Sequence, residues 1–303
     1  MKKYIIKRIL LAIVTVIVIS MITFFLMNAI PGGPFNSEKA VSRATMAALQ
    51  ARYNLDKPII VQYFLYMKGI IHGDFGVSLK TGRSISGIIG ESFPISAQLG
   101  LMAAFLAIIV GLVLGAIAAL MRNRWPDRLI VFLTTLLTAM PSFVLATFLL
   151  YVFCMKLGWV PVWSAESNNL ILPIIALAAY PMAYITRLTK TSMLDALGQD
   201  YIRTAQAKGV PPVKVIFLHG LRNALIPVIT YVGPMIAYII TGSMVVENIF
   251  TIGGLGSKFV TGITNRDYTL IMATTLFLAI IMVIANLITD IVYKLVDPRI
   301  KLD

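Results

Sequence analysis

The chain reads as an all-α, polytopic membrane protein, and three observations predict that class. It has 303 residues, of which 58% are hydrophobic and only 13% charged, where an ordinary soluble domain carries about 25% charged residues. Its mean hydropathy is +0.87. Its apolar residues gather into six stretches, each near the roughly 20 residues a helix needs to cross a ~30 Å hydrocarbon core. A soluble enzyme of this length needs a charged surface that this composition cannot supply. Disorder is excluded from the other side, since disordered chains are poor in apolar residues and rich in charge.

The spans fall at 9–30, 97–121, 129–155, 169–186, 225–246 and 269–292. The first two carry no charge, and the sixth holds one acid near its end, Asp290. Met1-Lys2-Lys3 resembles a secretory n-region. The apolar run behind it exceeds the roughly 7–15 residues of a signal peptide, and no small-x-small site closes it. It is read as a retained first helix, with a cleaved signal as the alternative.

The net charge of +13 raises nucleic acid as a partner, which would need a basic face or tail on a soluble domain. Membrane orientation explains it instead. With the N-terminus inside, the inner segments 1–8, 122–128, 187–224 and 293–303 hold 16 of the 26 Lys and Arg in 64 residues. The outer segments 31–96, 156–168 and 247–268 hold the other 10 in 101 residues. That bias is the positive-inside pattern and places both termini in the cytoplasm. Cys154, the single cysteine, sits in an apolar run, and His72 and His219 lie far apart. An intramolecular disulfide is impossible, and no spacing supports a His/Cys metal site.

Two loops are longer than connectors need to be. In the outer loop, 31–96, Asn36 or Ser37 is placed to cap a helix through about Tyr53, and Asp56-Lys57-Pro58 opens a second helix over Ile59–Ile71. The loop reads as a small external cap. The inner loop, 187–224, reads as two short helices. The first runs from about Asp195 to Lys208 and is ended by Gly209. The second starts at Pro211-Pro212, because proline is tolerated at a helix start. The apolar Ala205, Ala207, Val210, Val215, Ile216 and Phe217 are out of place in a solvated loop. They predict a helix pair that docks on a lipid surface or on a partner protein.

Several machineries have no counterpart in the sequence. Gly253-Gly254-Leu255-Gly256-Ser257-Lys258 resembles a P-loop only superficially: its glycine spacing is wrong and it falls on the outer side. Spans one to five have no ionisable interior residue of the kind proton- or sodium-driven carriers use. Energy for transport would then come from another polypeptide. Prolines interrupt the later spans: Pro141 in the third, Pro173 and Pro181 in the fourth, Pro227 and Pro234 in the fifth. Proline removes a helix hydrogen bond, and a broken helix at membrane depth survives where it packs on protein or lines a watery cavity. Spans three to five are therefore the expected pathway lining. Gly111-x-x-x-Gly115 in the second span permits close helix approach.

Tyr201-Ile202-Arg203-Thr204-Ala205-Gln206-Ala207-Lys208-Gly209, followed by His219-Gly220-Leu221-Arg222-Asn223-Ala224-Leu225-Ile226-Pro227, resembles the EAA loop of type I ABC importer permeases, in particular the peptide/nickel subclass. The resemblance continues in Gly73-Asp74-Phe75-Gly76, Gly242-Ser243-Met244-Val245-Val246-Glu247, Asn265-Arg266-Asp267-Tyr268 and Asp297-Pro298-Arg299-Ile300. It is nearest to the B-type permease subunits of oligopeptide importers. Arg203-Thr204-Ala205-x-x-x-Gly209 lacks the Glu and first Ala of the general pattern, and no proline stands at 219–222. These departures point away from sugar permeases.

The resemblance implies three parts. These are a first helix with its external loop (1–96), a five-helix core (97–292) carrying the coupling loop 187–224, and a cytoplasmic tail (293–303). It implies a non-catalytic membrane subunit that binds no cofactor itself, with ATP and Mg on partner subunits. Those partners are a homologous second permease, two ABC ATPase subunits and an extracytoplasmic peptide-binding protein, in a bacterial cytoplasmic membrane. Tyr201, Arg203, Thr204, Ala205, Ala207, Lys208, Gly209 and Lys214 would form the coupling segment. In it the small alanines would permit close docking, Gly209 the turn, and Arg203, Lys208 and Lys214 pairing with acidic partner residues. Cargo is left open among oligopeptides, dipeptides, glutathione and nickel. A stand-alone channel or secondary carrier is the rival from another class.

Overall fold

The computed structural model describes residues 2–30, 56–164 and 166–296. The expected helix through Tyr53 and the motif at 297–300 lie outside these residues. Among the described residues the regular structure is helical, apart from an isolated antiparallel bridge between Val77 and Ser84. Among the described residues five helical runs are long and apolar enough to cross a membrane, and a pair bent by 105° brings the count to six if it is taken as one span. Five of the spans expected from hydropathy are single helical runs, and the third, 129–155, falls on the bent pair.

Beyond Arg8, helix α1 (Lys2–Ala29) carries no charged residue and most of its apolar side chains are exposed, as suits a helix largely facing lipid. Helix α2 (Ile59–Ile71) follows Pro58 as expected. It differs from a detached external cap: the Tyr63 hydroxyl lies 2.8 Å from Ser20 Oγ, and the Phe24 ring packs on Tyr63 and Tyr66. Ser20 stands about 14 Å from the outer end of α1, at 1.5 Å rise per residue. α2 is thereby fastened to the first span at membrane depth.

Helix α3 (Ile85–Leu120) is 36 residues long. It starts well before the expected boundary at 97, because Ser84 caps it through the N–H of Gly87 and the helix absorbs Pro94. Helix α4 (Trp125–Ala139) begins with a proline in its first turn. Helix α5 (Ser142–Leu149) runs on as a π-helical stretch, Leu150–Lys156. α4 and α5 with its extension form the bent pair, at 105°.

Helix α6 (Ile171–Leu197) corrects the expected boundary at 186. Arg187, Lys190 and Asp195 belong to the same rod as the apolar part, so much of the supposed loop 187–224 is helix. Helix α7 (Asp200–Ala207) follows after a two-residue step. Helix α8 (Pro212–Lys214) passes through a π-helical stretch, Val215–Leu221, into α9 (Arg222–Ile240) without a break. The expected second short helix is therefore the foot of the fifth span. Helices α10 (Met244–Ile249), α11 (Leu255–Asn265) and α12 (Tyr268–Val296) complete the chain.

The centre of the bundle is the seam of α3 with α6, built from small residues. A Cβ placed on Gly111 would stand 2.8 Å from Ile185 Cβ, and one on Gly115 would stand 2.5 Å from Thr189 Cβ. The Gly111/Gly115 pair is thus an internal packing seam, where missing side chains let two backbones approach. Ala103, Ala104, Ala107 and Ala178 extend the seam towards α9. α12 lies against α1, and Arg8 pairs with Asp290 at 3.0 Å, which accounts for the acid in the sixth span.

Candidate functional site: a membrane-depth cavity and a cytoplasmic elbow

The bend at Pro141 opens a cavity of about 640 Å³. Its wall is made by 137–142 and Leu145 at the bend, by Ala176, Leu177 and Ala179–Pro181 of α6, and by Tyr231, Pro234, Met235, Tyr238 and Ile239 of α9. Ser243 and Val246 complete it on the outer side. Pro141, Pro181 and Pro234 come together here. Pro173 and Pro227 do not reach the cavity. Pro173 sits in the first turn of α6, where its missing N–H breaks no helix bond, and Pro227 lies lower in α9.

The bend follows from Pro141 itself. The Leu137 carbonyl would normally accept from residue 141, which has no N–H. Met140 N–H still bonds Leu136 O, and the next helix restarts on the Pro141 carbonyl, which accepts from Val144 at 3.0 Å. Between these, Met140 and Pro141 take extended backbone, with ψ 124° and 139°, so the carbonyls of Leu137, Thr138 and Ala139 lose the helical register of their usual partners four residues on. Such groups are costly in hydrocarbon, so this break requires water, cargo or protein at the cavity.

Around the break stand tyrosines that periodicity alone did not single out. Tyr180 and Tyr238, both in the cavity wall, are 54% and 69% exposed. Tyr184 and Tyr231 stack with ring centroids 4.3 Å apart. No Asp, Glu, Lys, Arg or His lines the cavity.

At the elbow where α6 gives way to α7, the residues of the expected coupling segment divide into two faces. Ile202 and Ala205 are buried against Val215. Ala205 therefore supports the fold and is not free for docking. Tyr201, Arg203, Thr204, Ala207 and Lys208 face outwards, as does Lys214 on α8. Thr204 Oγ1 donates to the Asp200 carbonyl at 3.0 Å, and the Tyr201 hydroxyl accepts from Asn223 Nδ2 at 3.2 Å, tying α7 to the foot of α9.

Gly209 has φ +74°, in the left-handed region. The Gly209 N–H donates to Gln206 O at 3.0 Å and Val210 N–H to Ala205 O at 3.1 Å. This bond pair closes the helix end as a Schellman motif. Nothing lies within 4 Å of the place a Gly209 Cβ would occupy. The requirement for glycine is conformational and leaves the surface open.

Lys190 Nζ meets Asp127 Oδ1 at 2.5 Å, linking the start of α4 to the lower half of α6. The other oxygen, Oδ2, accepts from Asn123 N–H at 2.9 Å. Neither residue stood out in the sequence, because they are far apart along it and each sits among other charges.

The outer end is closed by two buried carboxylates. Glu247 is fully buried. Its Oε1 accepts from Ser96 Oγ at 2.7 Å and from Ser243 N–H at 3.2 Å, and its Oε2 accepts from Ser257 N–H at 3.1 Å. Ser96 Oγ in turn accepts from Leu255 N–H at 2.8 Å. The first turn of α11 is thus capped by residues from two other elements. A Cβ on Gly254 would stand 2.5 Å from Glu247 Oε2, and one on Gly256 would stand 3.0 Å from it. The glycines that resemble a P-loop admit this internal carboxylate. Asp267 is the second: it accepts from Ser78 Oγ and from Leu79 N–H at 3.2 Å, pinning the outer loop to the top of α12.

The family described as "Binding-protein-dependent transport system inner membrane component" matches residues 111–302, and its N-terminal companion, "Binding-prot-dependent transport system membrane comp, N-term", matches residues 1–100. The dipeptide transport system permease protein DppB of Bacillus subtilis is 47% identical over 100% of this chain and 99% of its own length. The oligopeptide transport system permease proteins OppB of Salmonella typhimurium and Escherichia coli are 42% and 41% identical, covering 99% of this chain and 100% of their own. Among solved structures, an inward-facing conformation of the MetNI methionine ABC transporter superposes with a TM-score of 0.59 at 15% identity, over 69% of this chain and 96% of that one. That likeness speaks to the fold. With family matches along nearly its whole length and relatives that align end to end, the chain belongs to the binding-protein-dependent transport system inner membrane components and is a permease subunit of an ABC importer.

Proposed function

We propose that this chain forms, with a homologous second permease, the path by which oligopeptides enter a bacterial cell, and that it catalyses no reaction itself. ATP and Mg would be held by two ABC ATPase subunits gripping the elbow. A peptide-binding protein would meet the outer loops, and both termini would lie in the cytoplasm, in keeping with the Lys and Arg distribution. The oligopeptide relatives support the cargo class. Dipeptides are the second reading, favoured by the 47% identity to the Bacillus subtilis dipeptide permease.

One observation carries the mechanical part. The helix that walls the cavity at Tyr180 and Pro181 is the helix that ends at the elbow, and it runs unbroken from Ile171 to Leu197. Displacement of α7 by closing ATPases would tilt this rod as a unit and alter the cavity, a rigid-body switch of the kind seen in two-state machines. Pro181 does not interrupt it: the rod stays helical on both sides.

The test is uptake into proteoliposomes holding both permeases and both ATPases, with binding protein supplied outside. Peptides of two to six residues compete against a labelled pentapeptide. ATP-dependent uptake with competition strongest at four to six residues is the expected result. Competition confined to dipeptides replaces the cargo, and uptake without ATP overturns the division of labour.

A further inference from the structure

Resting on that reading of the cargo, we infer that the cavity at Pro141 is a contact site for the peptide main chain that takes no account of side-chain charge. Beside the small hydroxyls of Thr138, Ser142 and Ser243, the wall offers two kinds of polar group. The first kind is the carbonyls of Leu137, Thr138 and Ala139, taken out of helical register by the extended backbone at Met140 and Pro141. The second is the hydroxyls of Tyr180, Tyr231 and Tyr238, three tyrosines of the wall. Carbonyls accept and tyrosine hydroxyls both donate and accept. That is the complement of an extended peptide backbone, which presents N–H and C=O groups in alternation.

The same wall is neutral. An ionised side chain at this depth is drawn to an opposite charge and repelled by a like one, and both effects grow as the dielectric falls. Here neither sign is present, so acidic and basic cargo meet the same surface. The flat tyrosine rings add apolar contact that suits any side chain. Discrimination between peptides then falls to whatever captures them before they reach the membrane.

The experiment uses the complete transporter with its binding protein. Tyr180, Tyr231 and Tyr238 are changed together to Phe, which removes three hydroxyls and keeps the rings. Three pentapeptides alike except for a central Glu, Lys or Ala are followed. Uptake of all three should fall by the same factor, about tenfold if the hydroxyls together contribute one to two hydrogen bonds in transit. The yield of assembled complex should stay at the wild-type level.

A second variant, Ser142→Asp, adds a charge to the wall and should create a preference absent before, speeding the Lys peptide relative to the Glu peptide. Equal wild-type rates in the triple variant, or a fall confined to one charge class, overturn the inference while leaving the cargo class intact. A wild-type transporter that takes up none of the three peptides overturns the cargo reading first, and this inference with it.

Discussion

The outer end of this bundle and the α7 elbow at its other end are held in different ways. Outside, Glu247 and Asp267 are 0% and 2% exposed, and directed hydrogen bonds from distant parts of the chain converge on each. Inside, α7 rests on Ile202, Ala205 and Val215, while Arg203 and Asp200 stand in water at 79% and 97% side-chain exposure. Hydrogen bonds to a buried carboxylate have narrow geometry and are costly to leave unmade. Apolar contact is non-directional and tolerates sliding. The outer end is built to keep its shape, and the inner end to be displaced.

Substitutions at the two ends should therefore differ in kind. The largest effect on stability is expected for Glu247→Ala, which leaves several buried donors without an acceptor, at a cost on the order of 4 kcal/mol. Thermal unfolding of the purified complex should show it, with Glu247→Gln less damaging, and an unchanged midpoint would remove the carboxylate from its structural role. Next comes Asp127→Ala, which strips Lys190 of its partner. Its unfolding midpoint should drop by less, and the exchanged pair Asp127→Lys with Lys190→Asp should restore uptake if the ion pair matters as a pair.

Gly209→Val should cost only about 1–2 kcal/mol locally, the penalty for a side chain in left-handed backbone. It should nonetheless abolish ATP-driven uptake while ATP hydrolysis by the assembled complex continues. Normal uptake in that variant at normal expression would count against the elbow as a lever. The smallest effect is expected for Arg203→Ala: its ion pair is 3.7 Å long and solvated, so melting should not move. Any loss would appear in ATPase affinity, read by titrating the motor subunits.

Much of the architecture is legible in the sequence for a simple reason: lipid demands runs of apolar residues, and such runs cannot be hidden. The bend at Pro141 is legible because proline acts on its own backbone. The true length of α6 is not, since Arg187, Lys190 and Asp195 end a hydropathy window without ending a helix. The early start of α3 is hidden by Pro94 and by polar Ser92 and Ser96, whose burial only the folded contacts reveal. The partners of Glu247 include Ser96, 151 residues away in the chain, a distance no local pattern bridges. The tyrosines of the cavity sit on two helices and gather only when α6 and α9 pack.

The unbroken run of α6 carries an obligation in both directions. Coupling between two sites on one body is reciprocal in free energy. With ATPases on α7 as proposed, a molecule wedged beside Tyr180 would change how firmly they hold the far end of the rod, about 25 Å away at helical rise. A small compound lodged in that recess would then behave as a brake on nucleotide turnover without ever approaching the nucleotide.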